Sequence, residues 1–227
     1  MNVFENVREL TILSVCLRIF VSVVLGGIIG LERGIKHRAA GLRTYMLVSL
    51  GACIVMITNQ YVFQVYHTGD LVRMGAQVIS GIGFLGAGTI IVTSHNQIKG
   101  LTTAAGLWAS ACDGLAIGIG LYEVAIPAAV MIFIILYGLQ KLDLRLQKKA
   151  KVLEVYIELN NQILLGDFLR HIREKGIVPN NIQLESGISS GNTVAFIVTL
   201  KGNRQQSHKE ILELVRKMQG ISYLEEL

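Results

Sequence analysis

Charge is scarce in this chain of 227 residues. Only 16% are Asp, Glu, Lys or Arg, against 52% hydrophobic, and the mean hydropathy is +0.51. That composition excludes an ordinary soluble domain and points to a membrane protein. Cysteine is also scarce. Cys16, Cys53 and Cys112 are odd in number, lack CxxC spacing and sit in apolar segments. They exclude a disulfide framework and a thiolate zinc site. No Ser/His/Asp order, HExxH, P-loop or paired-carboxylate site is present, and the five histidines are scattered. No enzyme, cofactor or bound metal is expected. Residues 1–9 lack a basic n-region, Arg18 interrupts the apolar run after them, and no A-x-A site follows. The first apolar segment is expected to stay attached. The net charge of +5 lies mostly beside apolar segments, so anionic lipid is a simpler partner than nucleic acid.

What is abundant is apolar sequence with small residues in it. The stretch from Gly75 to Thr93, GAQVISGIGFLGAGTIIVT, carries no formal charge and is long enough to cross a bilayer as a helix. In lipid its glycines let helices approach closely, so it is expected to be the central helix of a bundle. Gly81, Gly83 and Gly86 spell G-x-G-x-x-G, but no strand precedes them, and a phosphate there would sit in hydrocarbon. Together with Gly88 they read as packing glycines.

Four other segments resemble membrane spans, at about residues 10–31, 44–61, 101–119 and 124–139. In the first, Ser14, Arg18, Ser22, Gly26 and Gly30 recur every fourth position and form one polar, small stripe. Leu13, Leu17, Phe20, Val24 and Ile28 form a lipid face opposite. In the fourth span Thr102, Gly106, Ser110, Gly114 and Gly118 repeat the stripe. Thr102 and Thr103 are expected to start that helix, and Trp108 to pack. Lys and Arg concentrate in residues 32–43 and after Lys141. The positive-inside rule then puts the N-terminus outside and the C-terminus in the cytoplasm.

Two charges fall inside these spans, Arg18 and Asp113. Arg18 lies about eight residues below the outer face and Asp113 about six, so their depths agree to roughly 3 Å. They are expected to face each other, either as a buried ion pair fixing helix register or in a water-filled pocket. Glu32, Arg33, Arg38 and Arg43 are expected to form an interfacial cluster, an anchor or a docking patch. Asp70, Arg73 and Gln77 would cap the third span or line an outer vestibule. A magnesium pathway needs several oxygen ligands in near-octahedral geometry, and one deep carboxylate beside an arginine supplies this poorly.

Residues 141–151, KLDLRLQKKAK, are a basic juxtamembrane linker, either along the inner surface or solvated. Residues 152–227 change character. LEVYIEL alternates with period two; Leu165, Phe168, Leu169 and Ile172 follow a helical pattern; IQLES and TVAFIVTL read as strands around GISSGN. Ser207-x-x-Glu210 matches a capping box for a second helix, and ISYLEEL closes as a strand. The order βαββαβ gives a ferredoxin-like domain after a helical membrane domain at 1–140. A core of this size favours docking or dimerisation.

Three blocks now suggest a family: GGIIGLERGIKHRAAGLRTYMLVSLGA, RMGAQVISGIGFLGAGTII and KGLTTAAGLWASA. They resemble the MgtC/SapB family of bacterial inner-membrane proteins over about residues 15–125. The resemblance implies functional weight at Arg18, Glu32, Arg33, Arg38, Gly41, Arg43, Asp70, Arg73, Gln77, the glycines of 81–88, Thr102, Thr103 and Trp108. It implies an ACT-like C-terminal domain, and a role in adaptation to low magnesium and in survival of pathogens inside host cells. Family members are thought to modulate other membrane systems, cation transport and ATP synthase among them. Asp113 departs from the family pattern. The expected protein is a five-span regulator with a cytoplasmic ACT-like domain, another membrane protein as partner and a tendency to homo-oligomerise. The alternatives are an ion transporter or channel and a structural scaffold.

Overall fold

The computed structural model describes residues 9–36, 38–67, 69–70, 72–93, 97–139, 142, 152–160, 165–184, 193–202, 208–218 and 220–226. The chain forms two compact units, Met1–Lys141 and Leu142–Leu227. Most of the expected linker at 141–151, the GISSGN turn and Ser207 of the capping box lie outside the described residues.

The first unit is mostly helical: α1 Ile12–Ile35, α2 Leu42–Tyr66, α3 Arg73–Thr89, α4 Leu101–Gly118 and α5 Tyr122–Phe133. α5 continues through a π turn at Ile134–Gly138. At 1.5 Å per residue, α1 and α2 are each about 36 Å long. They are the two described helices long and apolar enough to cross a membrane. α1 starts where Thr11 and Ser14 form a reciprocal capping box, each side chain accepting the other's backbone N–H. It runs beyond the expected end and takes Glu32 and Arg33 into its last turns.

The third segment differs from expectation. Its helix ends at Thr89, and Ile91–Val92 (β1) pairs antiparallel with Ile98–Lys99 (β2). The run Ile90, Ile91, Val92 and Thr93 is β-branched, which favours extended backbone over helix. Gly100 (φ +100°) joins this hairpin to α4 and presses on the Thr89 carbonyl, where a Cβ would clash.

Nor is α3 the central helix. That place is shared by α2, which packs on α1, α3 and α4, and α4, which packs on α1, α2, α3 and α5. Gly26 and Gly30 of α1 lie on the Tyr45, Ser49 and Leu42 backbone and side chains, with hypothetical Cβ contacts of 2.8–2.9 Å. From the other side Gly114 and Gly118 of α4 press on the carbonyls of Ser49 and Cys53. α3 packs on α4 through Gly86, against Ala104, and on α2 through Gly75, against Met56. A Cβ at Gly81, Gly83 or Gly88 would meet nothing within 4 Å. Those three therefore do not pack against the described residues of this chain. The spacing of small residues identifies a face that can be approached, but not whether this chain supplies the approach.

The second unit runs β3 Val152–Asn160, α6 Leu165–Glu174, β4 Val178–Leu184, β5 Thr193–Lys201, α7 His208–Arg216 and β6 Ile221–Glu226. This is the expected β-α-β-β-α-β order. The four strands pair antiparallel in the spatial order β4-β5-β3-β6. Gly176 (φ +76°) and Gly220 (φ +87°) turn the chain after the two helices. Leu153, Val155, Ile157 and Leu159 alternate onto one face of β3. They bury with Phe196, Val198 and Leu200 of β5, Phe168 and Ile172 of α6, and Ile211 and Val215 of α7.

Candidate functional site

A polar seam runs through the helical unit. α1 contributes Ser14, Arg18 and Ser22, α2 contributes Ser49 and Asn59, and α4 contributes Thr103, Ser110 and Asp113, all buried. The stripe expected on α1 is turned inward, as is that on α4 from Gly106 onward, Thr102 being exposed, while Leu13, Phe20, Val24 and Ile28 are exposed.

Arg18 is fully buried. Its Nη1 donates to Gln60 Oε1 at 2.7 Å and to the Gly118 carbonyl at 2.9 Å. Gly118 is the last residue of α4, whose final carbonyls have no partner within the helix. A cation there satisfies one of them and opposes the negative end of the helix dipole. Arg33 does the same at the other end of α1: its Nη2 donates to the Leu136 carbonyl at 2.7 Å, inside the π turn that ends the fifth helix. Two buried arginines on one helix thus fasten the ends of two others.

The expected Arg18–Asp113 pair is not formed. Asp113 is buried, and neither carboxylate oxygen has a hydrogen-bond partner. The depth comparison considered Cα positions. The arginine side chain reaches a full turn further along α4, to Gly118, where a carbonyl acceptor waits. A backbone partner of this kind leaves no mark in the sequence.

The interfacial cluster also divides. Glu32 and Arg33 are buried and in ion-pair contact, Arg33 Nε to Glu32 Oε2 at 3.0 Å, with Lys36 on the other carboxylate oxygen. Arg38 and Arg43 are exposed. Asp70 accepts the Val72 backbone N–H at 2.9 Å, which shapes the turn entering α3. Arg73 and Gln77 are exposed beyond it, as is Thr102. Thr103 is buried and its carbonyl accepts from the Tyr45 hydroxyl at 3.4 Å. The same hydroxyl fills the space beside Gly106. Trp108 is half exposed. Among the described residues no three or more His, Cys, Asp or Glu side chains gather as metal ligands.

In the sheet unit, the Tyr156 and Tyr223 hydroxyls donate to Glu158 (2.9 Å) and Glu225 (3.1 Å). The Glu225 hydrogen bond and charge raise the Tyr223 phenol above its ordinary value.

Apolar exposed helices around a core of glycine, arginine and hydroxyls define a helical membrane protein, here followed by a four-stranded sheet unit. The MgtC family profile matches residues 19–145, and the chain belongs to the MgtC family. It is 33% identical over 210 residues to the Escherichia coli K12 protein named "Putative magnesium transporter YhiD", covering 90% of this chain and 94% of that one. It is 32% identical over 182 residues to Protein SapB of Bacillus subtilis, covering 76% and 78% of the two chains. It is 47% identical over 111 residues to Protein MgtC of Brucella abortus, covering 48% and 44%. No solved structure matches.

Proposed function

We propose that this chain is a multi-pass bacterial inner-membrane regulator that adjusts other membrane systems when magnesium is low. In this reading all five helical segments of the first unit cross the membrane. The N-terminus lies outside, and the sheet unit is a cytoplasmic ferredoxin-like, ACT-like domain. Its partner is another membrane protein, and a second copy of the chain is a further partner. It is not an enzyme.

The observation that carries this reading is the placement of Arg18 and Arg33. Both cations are buried in the bundle core and engaged by backbone carbonyls. Fixed positive charge along a pore raises an electrostatic barrier to cations, and a magnesium ion also requires a near-octahedral set of oxygens. Of the two buried carboxylates, Glu32 is already paired with Arg33 and Lys36, and Asp113 alone supplies too few oxygens. A second reading, a magnesium transporter, draws its support from the name of the YhiD relative, which aligns with 90% of this chain.

The experiment is ion flux through full-length protein in sealed liposomes, with magnesium inside and a fluorescent reporter outside. The regulator reading expects no flux from folded, inserted protein. Flux that disappears on Arg18→Ala or Asp113→Ala establishes the transporter instead.

A further inference from the structure

Three buried polar side chains lie at one level of α2 and α4. Ser49 Oγ, Ser110 Oγ and both carboxylate oxygens of Asp113 have no hydrogen-bond partner among the described residues. Ser49 and Ser110 are fully buried, and Asp113 is 4% exposed. Ser110 precedes Asp113 by three positions, so the two neighbour each other on one side of α4. The Ser49 backbone abuts Gly114, the residue after Asp113, and the Ser49 Cβ lies against Gly26 of α1. Two hydroxyls and a carboxyl therefore occupy one level of the bundle.

The other charged and titratable groups of the surrounding helices are directed elsewhere. On α1, Arg18 binds Gln60 and Gly118, and Arg33 binds Leu136 and Glu32. On α2, Tyr45 donates to Thr103, and Cys53 lies beside Ser22 and Arg18. On α5, Tyr122 faces Arg18, and Glu123 is exposed. Arg73 of α3 is exposed. Cys112 is the immediate neighbour of Asp113 on α4 and carries no positive charge. An isolated carboxylate buried in such surroundings costs several kcal/mol. A bound monovalent cation removes that charge. A divalent ion would leave a net positive charge in the bundle, with far fewer oxygens than it requires.

We propose that Asp113, with Ser49 and Ser110, forms an intramembrane binding site for a single monovalent cation, either a proton or a sodium-sized ion. The site stands whether the chain regulates or transports. Ser49 and Ser110 supply neutral oxygens, and Asp113 supplies the compensating charge.

Dicyclohexylcarbodiimide tests this in the full-length protein in liposomes. A protonated carboxyl adds across one C=N bond of the reagent: its proton goes to nitrogen and its oxygen to carbon, and rearrangement leaves a stable N-acylurea with no atom lost. Mass spectrometry should find the adduct on Asp113 and not on Glu32, which is buried but already paired with Arg33 and Lys36. Labelling should fall about tenfold per pH unit once the carboxyl ionises. At fixed pH, protection by sodium chloride but not choline chloride identifies a sodium site; equal labelling in both identifies a proton site. Ser49→Ala with Ser110→Ala should shift the pH profile or weaken sodium protection. No adduct on Asp113, an adduct insensitive to both pH and sodium, or a serine double variant that changes neither the pH profile nor the sodium protection overturns the proposal.

Discussion

Among the described residues of the sheet unit, the fully buried side chains are Leu153, Val155, Ile157, Leu159, Ile172, Ile177, Phe196, Val198, Leu200, Ile211 and Val215. In the helical unit Arg18, Ser22, Ser49 and Ser110 are fully buried beside Tyr45, Leu107 and Ile117, while Phe20 is 65% and Phe84 84% exposed. Water explains the first arrangement, because apolar surface is driven out of it. Lipid explains the second. Hydrocarbon is no worse a neighbour for phenylalanine than another helix is, so the interior goes to whatever hydrocarbon rejects and to residues small enough for close backbones. Among the described residues both units bury apolar side chains, but only the helical unit also turns buried charge and hydroxyls inward while leaving large aromatic rings exposed.

The sharpest way to break this comparison is a matched pair of phenylalanines. Phe196 is fully buried and packs edge-on against Phe168 at 5.5 Å between ring centres. Phe196→Ala should destabilise the sheet unit by about 3–5 kcal/mol. Hydrogen exchange of β3 and β5 in the full-length protein should rise accordingly. Phe84→Ala should leave exchange in the helical unit almost unchanged. Equal losses from the two would mean that the exposed ring of Phe84 is covered by something in the assembled protein.

Arg18 gives the next largest effect. Arg18→Leu keeps much of the bulk but removes the hydrogen bonds to Gln60 and the Gly118 carbonyl. Hydrogen bonds to a charged group are worth about 1.5–3 kcal/mol each. Thermal unfolding in detergent should show the helical unit losing stability while the sheet unit keeps its own transition. A double variant exchanging Arg18 and Asp113 should not recover it, because the two side chains are not partners.

Gly114→Val should follow, at about 1–3 kcal/mol. Its new methyl groups meet the Ser49 carbonyl and Ala52, and backbone cannot move aside as a side chain can. The same thermal measurement checks it, with Gly34→Ala as the permissive control, since Gly34 has only ordinary contacts at 3.6–4.0 Å.

The two units differ also in how well their sequences can be read. Alternation in LEVYIEL and the helical repeat of Leu165, Phe168 and Ile172 led directly to the strand, the helix and their inner faces, because burial there follows hydrophobicity. On α1 the four-residue stripe from Ser14 to Gly30 found the inner face equally well. What it could not supply was the partner. Arg18 meets Gly118 and Arg33 meets Leu136 through main-chain carbonyls, which every residue has. Glu32 and Arg33 read as surface charges because the helix end was placed too early. The loss of helix after Thr89 was marked by four β-branched residues, outweighed in the reading by their hydrophobicity.

The smallest expected effect concerns the glycines that the sequence made most prominent. Gly81, Gly83 and Gly88 have open space where a Cβ would go, and Ile79, Phe84 and Leu85 are exposed near them on α3. In a single chain, Gly81→Ala and Gly83→Ala should each stabilise α3, by about 0.5–1 kcal/mol, because glycine costs helix entropy without packing in return. If a second copy or another membrane protein lies on this face, the same methyl groups hold its backbone away, and the sign reverses. Thermal stability in detergent and crosslinking in native membranes separate the cases. A gain in both variants with unchanged crosslinking means that α3 faces lipid. A loss of crosslinked species with stability unchanged or lower means that close packing on this face is supplied by a partner. The inversion between the two units would then extend from the core of the bundle to its assembly.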